Sequence, residues 1–287
     1  MKFYKILNEE EKHHGLQFHT GRVDDPNEFQ TDGSCVKGGI YFAPVTSILY
    51  FTHIGPWIRE VTLPEDAQVV RDPGKGPEKY RASSVILGER ERWKDVLSRL
   101  IDEGVDIQAH SSRLLCRASE DGDIDTALLF LGVGADIHAK NDQAICLAAS
   151  MGRTNIVELL LEYGADIHAR DDEALCQAAE YGRIDTVRFL LEHGADIHAN
   201  HDKALRFAAV NGHTDTVRFL LRHGADVHVQ GDAPVRWAAE SGRADVVRVL
   251  LSHGADANAI TKGAVYGAIV RNNTKMYSVI MDHNLRY

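Results

Sequence analysis

The sequence predicts an α+β N-terminal module followed by an all-α solenoid of stacked repeats. Three observations carry this. Glycine returns every 30 residues, at 104, 134, 164, 194, 224 and 254, each time opening a phrase of the type Gly164-Ala165-Asp166-Ile167. A fixed period of this size marks units that bury their apolar faces only against their neighbours. Six of the seven prolines (26, 44, 56, 64, 73 and 77) lie before residue 88, and only Pro234 falls within the repeats. At the same place the apolar pattern changes from short β-rich runs to paired helical stripes. The sequence therefore divides into residues 1–88 and a solenoid of about six units over 89–287, terminal capping units included.

In the first part, residues 3–7, 16–19, 39–42, 57–63, 68–70 and 83–87 read as strands, because each is β-rich and bounded by Gly, Pro, Asn or Asp. Residues 46–53 read as one short helix and 72–77, Asp-Pro-Gly-Lys-Gly-Pro, as a loop.

Residues 140–169 stand for the repeats. Asp142, repeated as Asp172, Asp202 and Asp232, is the expected N-cap of a first helix. That helix carries Ala148-Ala149, recurring as Ala178-Ala179, Ala208-Ala209 and Ala238-Ala239, and small pairs let helices approach closely. Gly152, Gly182, Gly212 and Gly242 end it in the left-handed region. The second helix follows with an apolar stripe, Ile156, Val157, Leu159, Leu160 and Leu161, and the Gly-Ala-Asp phrase stops it.

Composition is that of a soluble globular protein, 44% apolar and 26% charged, with a net charge of −10. Both parts are acidic, which argues against binding a phosphate backbone. No apolar stretch reaches 18 residues and the start of the chain has no secretory core, so the expectation is an intracellular, cytoplasmic chain without a membrane segment. Cys116, Cys146 and Cys176 occupy one position in successive units. Units stack roughly 8–10 Å apart, beyond the about 4.4–6.8 Å between disulfide-linked Cα atoms, so these thiols are expected to be free.

The Ala-Ala pair, the following glycine, the Val/Ile-Val-x-x-Leu-Leu run and Gly-Ala-Asp-Ile/Val-His/Asn-Ala together resemble the ankyrin repeat, over roughly residues 88–287. The usual ankyrin period is about 33 residues with a Thr-Pro-Leu-His opening. Here it is 30 and the opening is Asp142-Gln143-Ala144-Ile145-Cys146, so the hairpins between units are expected to be short. The 30-residue form behind a short front module resembles ankyrin proteins of giant amoeba-infecting viruses. That module matches theirs in 15–18, 35–42 and 58–64. The resemblance implies protein–protein recognition, a host protein as partner, host cytoplasm as location, and a monomer with no cofactor. Residues 88–109 are expected to cap one end of the stack, and 260–287, with Asn272 and Asn284 in place of glycines and Lys275, Ser278 and Asp282 on the last helix, to cap the other with a more polar face.

Histidines recur in two ladders, His138, His168, His198, His228 and His193, His223, His253, His283. Residues a whole unit apart do not converge to the roughly 2.0–2.3 Å that zinc requires, so no metal site is expected. The first ladder is expected to bond loop backbone, the second to sit at helix C-termini. No spacing assembles a catalytic set in the repeats. The expected partner-binding residues are the variable ones after each alanine pair, Ser150, Met151, Glu180, Tyr181, Val210, Asn211, Glu240 and Ser241, with the loop residues Arg170 and His201 on the same rim of a concave groove. Packing does not choose these side chains, and exposed Tyr and Met are enriched in interface cores.

An alternative concerns the front module. Gly39-Ile40-Tyr41-Phe42-Ala43 with Ser47 and Tyr50 resembles a segment of poly(ADP-ribose) polymerases, and Phe18-His19-Thr20-Gly21 loosely matches their His-Gly-Ser strand. The resemblance implies an NAD-binding enzyme or a degenerate relative. The order His-Thr-Gly and the short interval between segments depart from that family, and neither Glu60 nor Glu89 sits in a matching motif. The expectation is therefore no enzyme.

Overall fold

A computed structural model describes all residues except 1, 14, 31–37, 75, 103–104, 106–107, 271–272 and 283–287. The first 30-residue phrase at Gly104, Cys35, Asn272, His283 and Asn284 lie outside the described residues. The contacts divide the chain into two compact units, residues 1–111 and 112–287.

The first unit is built on an antiparallel sheet from β1 (Phe3–Leu7), β4 (Gly21–Asp24), β5 (Ile40–Pro44), β6 (Trp57–Thr62), β7 (Val69–Arg71), β8 (Tyr80–Ala82), β9 (Ser84–Leu87) and β10 (Glu91–Arg92). The spatial order is β4-β9-β6-β1-β5-β8-β7, with β10 also on β6. A separate hairpin joins β2 (Lys12–His13) to β3 (Leu16–Gln17). Helix α1 (Val45–Ile48) runs into a 3-10 turn (Leu49–Ile54), so the single helix expected over 46–53 is of mixed type. One sheet face packs Leu7, Phe18, Val23, Ile40, Phe42, Val61, Ala82, Val85 and Leu87. The expected strands form, shifted at their ends. β2, β4, β8 and β10 escaped notice because each is only two to four residues long and carries charged residues. Arg81 in β8 is fully buried and donates to the Gly38 carbonyl at 3.1 Å.

Helix α2 (Trp93–Asp102) was expected to cap the solenoid. Instead Val96, Leu97 and Leu100 face Ile6, Ile48, Leu49 and Ile58 on the sheet's other side. Its apolar stripe therefore completes the front module, and the packing division falls after residue 111 rather than at 88.

The second unit, from residue 112, holds most of α3 (Gln108–Asp121), then α4 (Ile124–Gly132). First helices α5 (Ala139–Ser150), α7 (Ala169–Glu180), α9 (Ala199–Asn211) and α11 (Val229–Glu240) alternate with second helices α6 (Thr154–Glu162), α8 (Ile184–Glu192), α10 (Thr214–Arg222) and α12 (Ala244–Ser252). α13 (Lys262–Val270) and α14 (Thr274–Asp282) end the stack. The alanine pairs are buried between first helices, which pack far more closely on one another than the second helices do. The first-helix side is therefore the inner side of the stack.

Each first helix opens in an unexpected way. Three consecutive residues adopt left-handed dihedrals: Lys140, Asn141, Asp142; Arg170, Asp171, Asp172; Asn200, His201, Asp202; and Gln230, Gly231, Asp232. Asp142 and its equivalents are thus not N-caps. Their buried carboxylates reach the following unit, where Asp142, Asp172, Asp202 and Asp232 accept the amides of Asp166, Asp196, Asp226 and Asp256 at 2.8–2.9 Å. One left-handed turn takes the place of the short hairpin expected between units, and no strand occurs among the described residues of 112–287.

The last unit also differs from expectation. Lys275, Ser278 and Asp282 are exposed, but so are Tyr266, Ile269, Val270, Tyr277 and Met281. The face presented by these residues is thus substantially apolar rather than polar.

Candidate functional site

Residue choice in each unit fixes the backbone on which the variable side chains stand. After each first helix comes a glycine with positive φ, such as Gly152 at 72° and Gly182 at 67°. The side chain that follows it one unit later covers it. Arg183 Nε donates to the Ser150 carbonyl at 3.0 Å, His213 Nε2 lies 2.8 Å from the Glu180 carbonyl, and Arg243 Nε donates to the Val210 carbonyl at 3.1 Å. A β-carbon on Gly182 would lie 2.4 Å from the His213 ring. Asn273 plays the same part toward the Gly242 carbonyl at 3.1 Å. The backbone after each alanine pair is therefore pinned by the neighbouring unit, leaving the side chains free to vary. This Gly-Arg/His pairing was legible as a recurring dipeptide, but its role was not.

The expected site residues divide by position. Met151, Tyr181, Asn211 and Glu240 are exposed, with Tyr181 at 52%. Glu180, Val210 and Ser241 are half-buried. Ser150 is buried and its hydroxyl donates to the Leu147 carbonyl at 2.8 Å, so it is committed to its own helix rather than to the surface. Arg170 and His201 are exposed, but they belong to the left-handed turns. They stand at the opposite end of the first helix from the alanine pairs. The single rim expected from sequence is thus two rows, one at each end of the inner helices. Arg170 reaches the Lys140 carbonyl of the preceding unit, tying one turn to the next.

The histidine ladders are structural. His138, His168, His198 and His228 place Nδ1 at 3.1–3.2 Å from Asp142, Asp172, Asp202 and Asp232, so they bond a carboxylate rather than the expected backbone. His193, His223 and His253 hold the carbonyl four residues back at 2.7–2.8 Å, at their helix C-termini. Cys116, Cys146 and Cys176 are free thiols. Burial pushes the Cys146 thiol up to about 11 and that of Cys176 to about 12.

In the front module, His19 is exposed with Nδ1 3.0 Å from the neighbouring Thr20 carbonyl. Tyr41 lines a cavity of about 50 Å³ with Lys5, Phe42, Phe51 and Lys79, a set that includes neither His19 nor Tyr50. Glu60 is exposed on β6, and the Glu89 carboxylate lies 3.4 Å from the Thr20 hydroxyl. The residues of the NAD-binding resemblance are not gathered around one cavity. Sequence reasoning missed Lys5, a buried amine that donates to the Tyr41 carbonyl at 3.0 Å and sits 4.5 Å from the centre of the Phe18 ring.

The family model for ankyrin repeats in three copies matches residues 115–201 and 198–261, about half of the chain. The chain belongs to the ankyrin-repeat family. Such repeats are protein-interaction modules. Relatives occur in Acanthamoeba polyphaga mimivirus. One, named as an ankyrin repeat protein, is 36% identical over 134 residues, 42% of this chain and 44% of its own length. A second of the same description is 30% identical over 136 residues, 45% of this chain and 66% of its own. A third, whose name assigns no activity, is 32% identical over 127 residues, 43% of this chain and 92% of its own. The matched stretch thus spans less than two thirds of the first two relatives. No helix among the described residues is long and apolar enough to cross a membrane.

Proposed function

We propose that this chain is an adaptor that binds a protein partner through the inner, first-helix side of its solenoid, with Tyr181 near the centre of the contact. One observation carries this reading. The carbonyls of residues 150, 180 and 210 are held by bonds from the next unit, while the side chains at 151, 181 and 211 that follow them are exposed and differ from unit to unit. A rigid frame with free, variable side chains presents a partner with little ordering cost. Tyr181 adds large contact area at low entropic cost, and central aromatics are typical hot spots. We assign the partner to the host cell, by the amoebal virus that encodes the relatives, and read the chain as a monomer of the host cytoplasm. The front module acts in this reading without catalysis, since the residues of the enzyme resemblance are dispersed.

Cross-linking capture from Acanthamoeba lysate with the full chain tests this. Tyr181→Ala is expected to lose the captured protein, a cost of about 2 kcal/mol or more, with the melting temperature almost unchanged. His19→Ala and Tyr50→Ala are expected to retain it. If the front-module changes abolish capture and Tyr181→Ala does nothing, binding belongs to the front module.

A further inference from the structure

The second helices carry a separate feature. At one position in successive units they read Glu158, Arg188, Arg218 and Arg248, and one helical turn later Glu162, Glu192, Arg222 and Ser252. The acidic pair of α6 gives way to arginine at the first position from α8 onward and at the second position on α10. Between these helices runs an open groove of about 550 Å³, lined by Thr214, Arg218, Arg222, Arg248 and Ser252, with Asp245 on its wall. Arg218 and Arg222 share one face of α10, being four residues apart. Among the described residues, none of the three arginines makes an ion pair or a hydrogen bond. Asp245 lies 3.5 Å from Lys275 instead. Arg188, by contrast, sits over the Phe219 ring at 5.0 Å. The residue one unit beyond Phe219 is Val249, which offers Arg218 no aromatic face. Three unpaired guanidiniums thus share one groove of a chain whose net charge is −10. They repel one another until an anion enters.

We propose that this groove binds an extended acidic segment of a protein partner, with one carboxylate on the Arg218/Arg222 pair of α10 and the next on Arg248 of α12. Units of a helical stack lie roughly 8–10 Å apart. A polyproline II chain advances about 3.1 Å per residue with three residues per turn, so every third side chain returns to one face after about 9.3 Å. An acidic residue at every third position therefore meets successive arginine rungs in register. Each guanidinium can donate two parallel N–H···O bonds to a carboxylate. Asp245 separates such a peptide from a nucleic acid. A continuous phosphate backbone would run against its charge, whereas a peptide can place a neutral residue or an N–H there. The groove lies on the second helices and is independent of the Tyr181 surface.

The test is a fluorescence anisotropy titration of the full chain with a capped, labelled (Glu-Pro-Pro)3 peptide at low ionic strength. Saturable binding that weakens with added salt is expected. Arg218→Gln with Arg248→Gln is expected to weaken it on the order of tenfold or more, since charge-assisted bonds are lost at two rungs. Arg222→Gln alone should have a smaller effect and Tyr181→Ala none. Circular dichroism melts verify that the variants remain folded. An isomeric peptide with its three glutamates adjacent is expected to bind more weakly. No binding by the unmodified chain, equal binding by the double variant, or equal binding of the two peptides overturns the proposal. So does tighter binding of a thymidine tetranucleotide of the same charge, which would make the groove a general polyanion surface.

Discussion

Asp202 accepts the Asp226 amide at 2.8 Å and the His198 ring lies 3.2 Å from the same carboxylate oxygen. One buried side chain thus joins two units and holds a left-handed residue with φ 49°. Left-handed dihedrals cost a non-glycine residue roughly 1–2 kcal/mol, and Asn, Asp and His tolerate them best. The middle positions of the four turns are Asn141, Asp171, His201 and Gly231, all tolerant types, and the third is always Asp. Arg206 supports the turn from within, donating to the Asn200 and His201 carbonyls at 2.7 and 2.9 Å. Asp202→Ala is expected to destabilise the solenoid by about 1–3 kcal/mol in a urea melt, because it leaves a buried amide unpaired. Lys5 supplies a pH test. Burial lowers its pKa to about 8 from 10.5. Below pH 8 the folded chain holds a charged, desolvated amine, and the unfolded chain keeps its proton up to about 10.5. Lys5→Met is therefore expected to stabilise the front module at pH 7 by about 1–3 kcal/mol. This advantage fades as pH rises from 8 toward 10.5, as paired urea melts at each pH will show.

At the scale of the element, each unit is a helix pair closed by glycine and sealed by its neighbour. Gly182 and Gly164 both have positive φ, 67° and 96°, yet only Gly182 has a side chain pressed against it. Gly164→Ala is expected to cost about 1–2 kcal/mol from dihedral strain alone. Gly182→Ala should cost more, and His213→Ala should recover the excess in a double-mutant cycle. Ala178 is fully buried between first helices, so Ala178→Leu is expected to cost about 1–3 kcal/mol through overpacking. Glu180→Lys, on a half-buried side chain two residues on, should stay within about 0.5 kcal/mol. The helices and their glycine ends were legible because period and residue type repeat. The left-handed turns were not, because a conserved-looking Asp before a helix reads first as an N-cap, and only the bond to the next unit distinguishes the two.

At the scale of the whole molecule, the two compact units divide after residue 111 and each has its own core. We expect them to unfold separately. Trp57 and Trp93 report on the front module and Trp237 on the solenoid. In a Trp237→Phe background, Ala178→Leu is expected to move the helical circular dichroism transition and leave the tryptophan fluorescence transition in place. Coincident shifts would mean that the units fold as one. The cysteine ladder gives a second readout. With Cys146 and Cys176 pushed up to about 11 and 12, few thiolates exist at pH 8. Iodoacetamide should label these thiols only after urea is added, as followed by mass spectrometry.

By itself the sequence determined the two-part architecture, the repeat unit, the buried alanine pairs and the positive-φ glycines, because each depends on local propensity or on a period that recurs along the chain. It also placed the exposed row of Met151, Tyr181 and Asn211. Only the tertiary structure decided where α2 packs, since its amphipathic stripe fits a sheet as well as a helix. It alone separated Arg170 and His201 from the alanine-pair row, committed Ser150 to Leu147, and turned Asp142 and its copies toward the next unit. It alone brought Arg218, Arg222 and Arg248 into one groove. The α2 packing, the Asp142-type bonds and the pairing of α10 with α12 depend on contacts between residues 24 or more positions apart, and local patterning carries no information about which partner such a side chain meets.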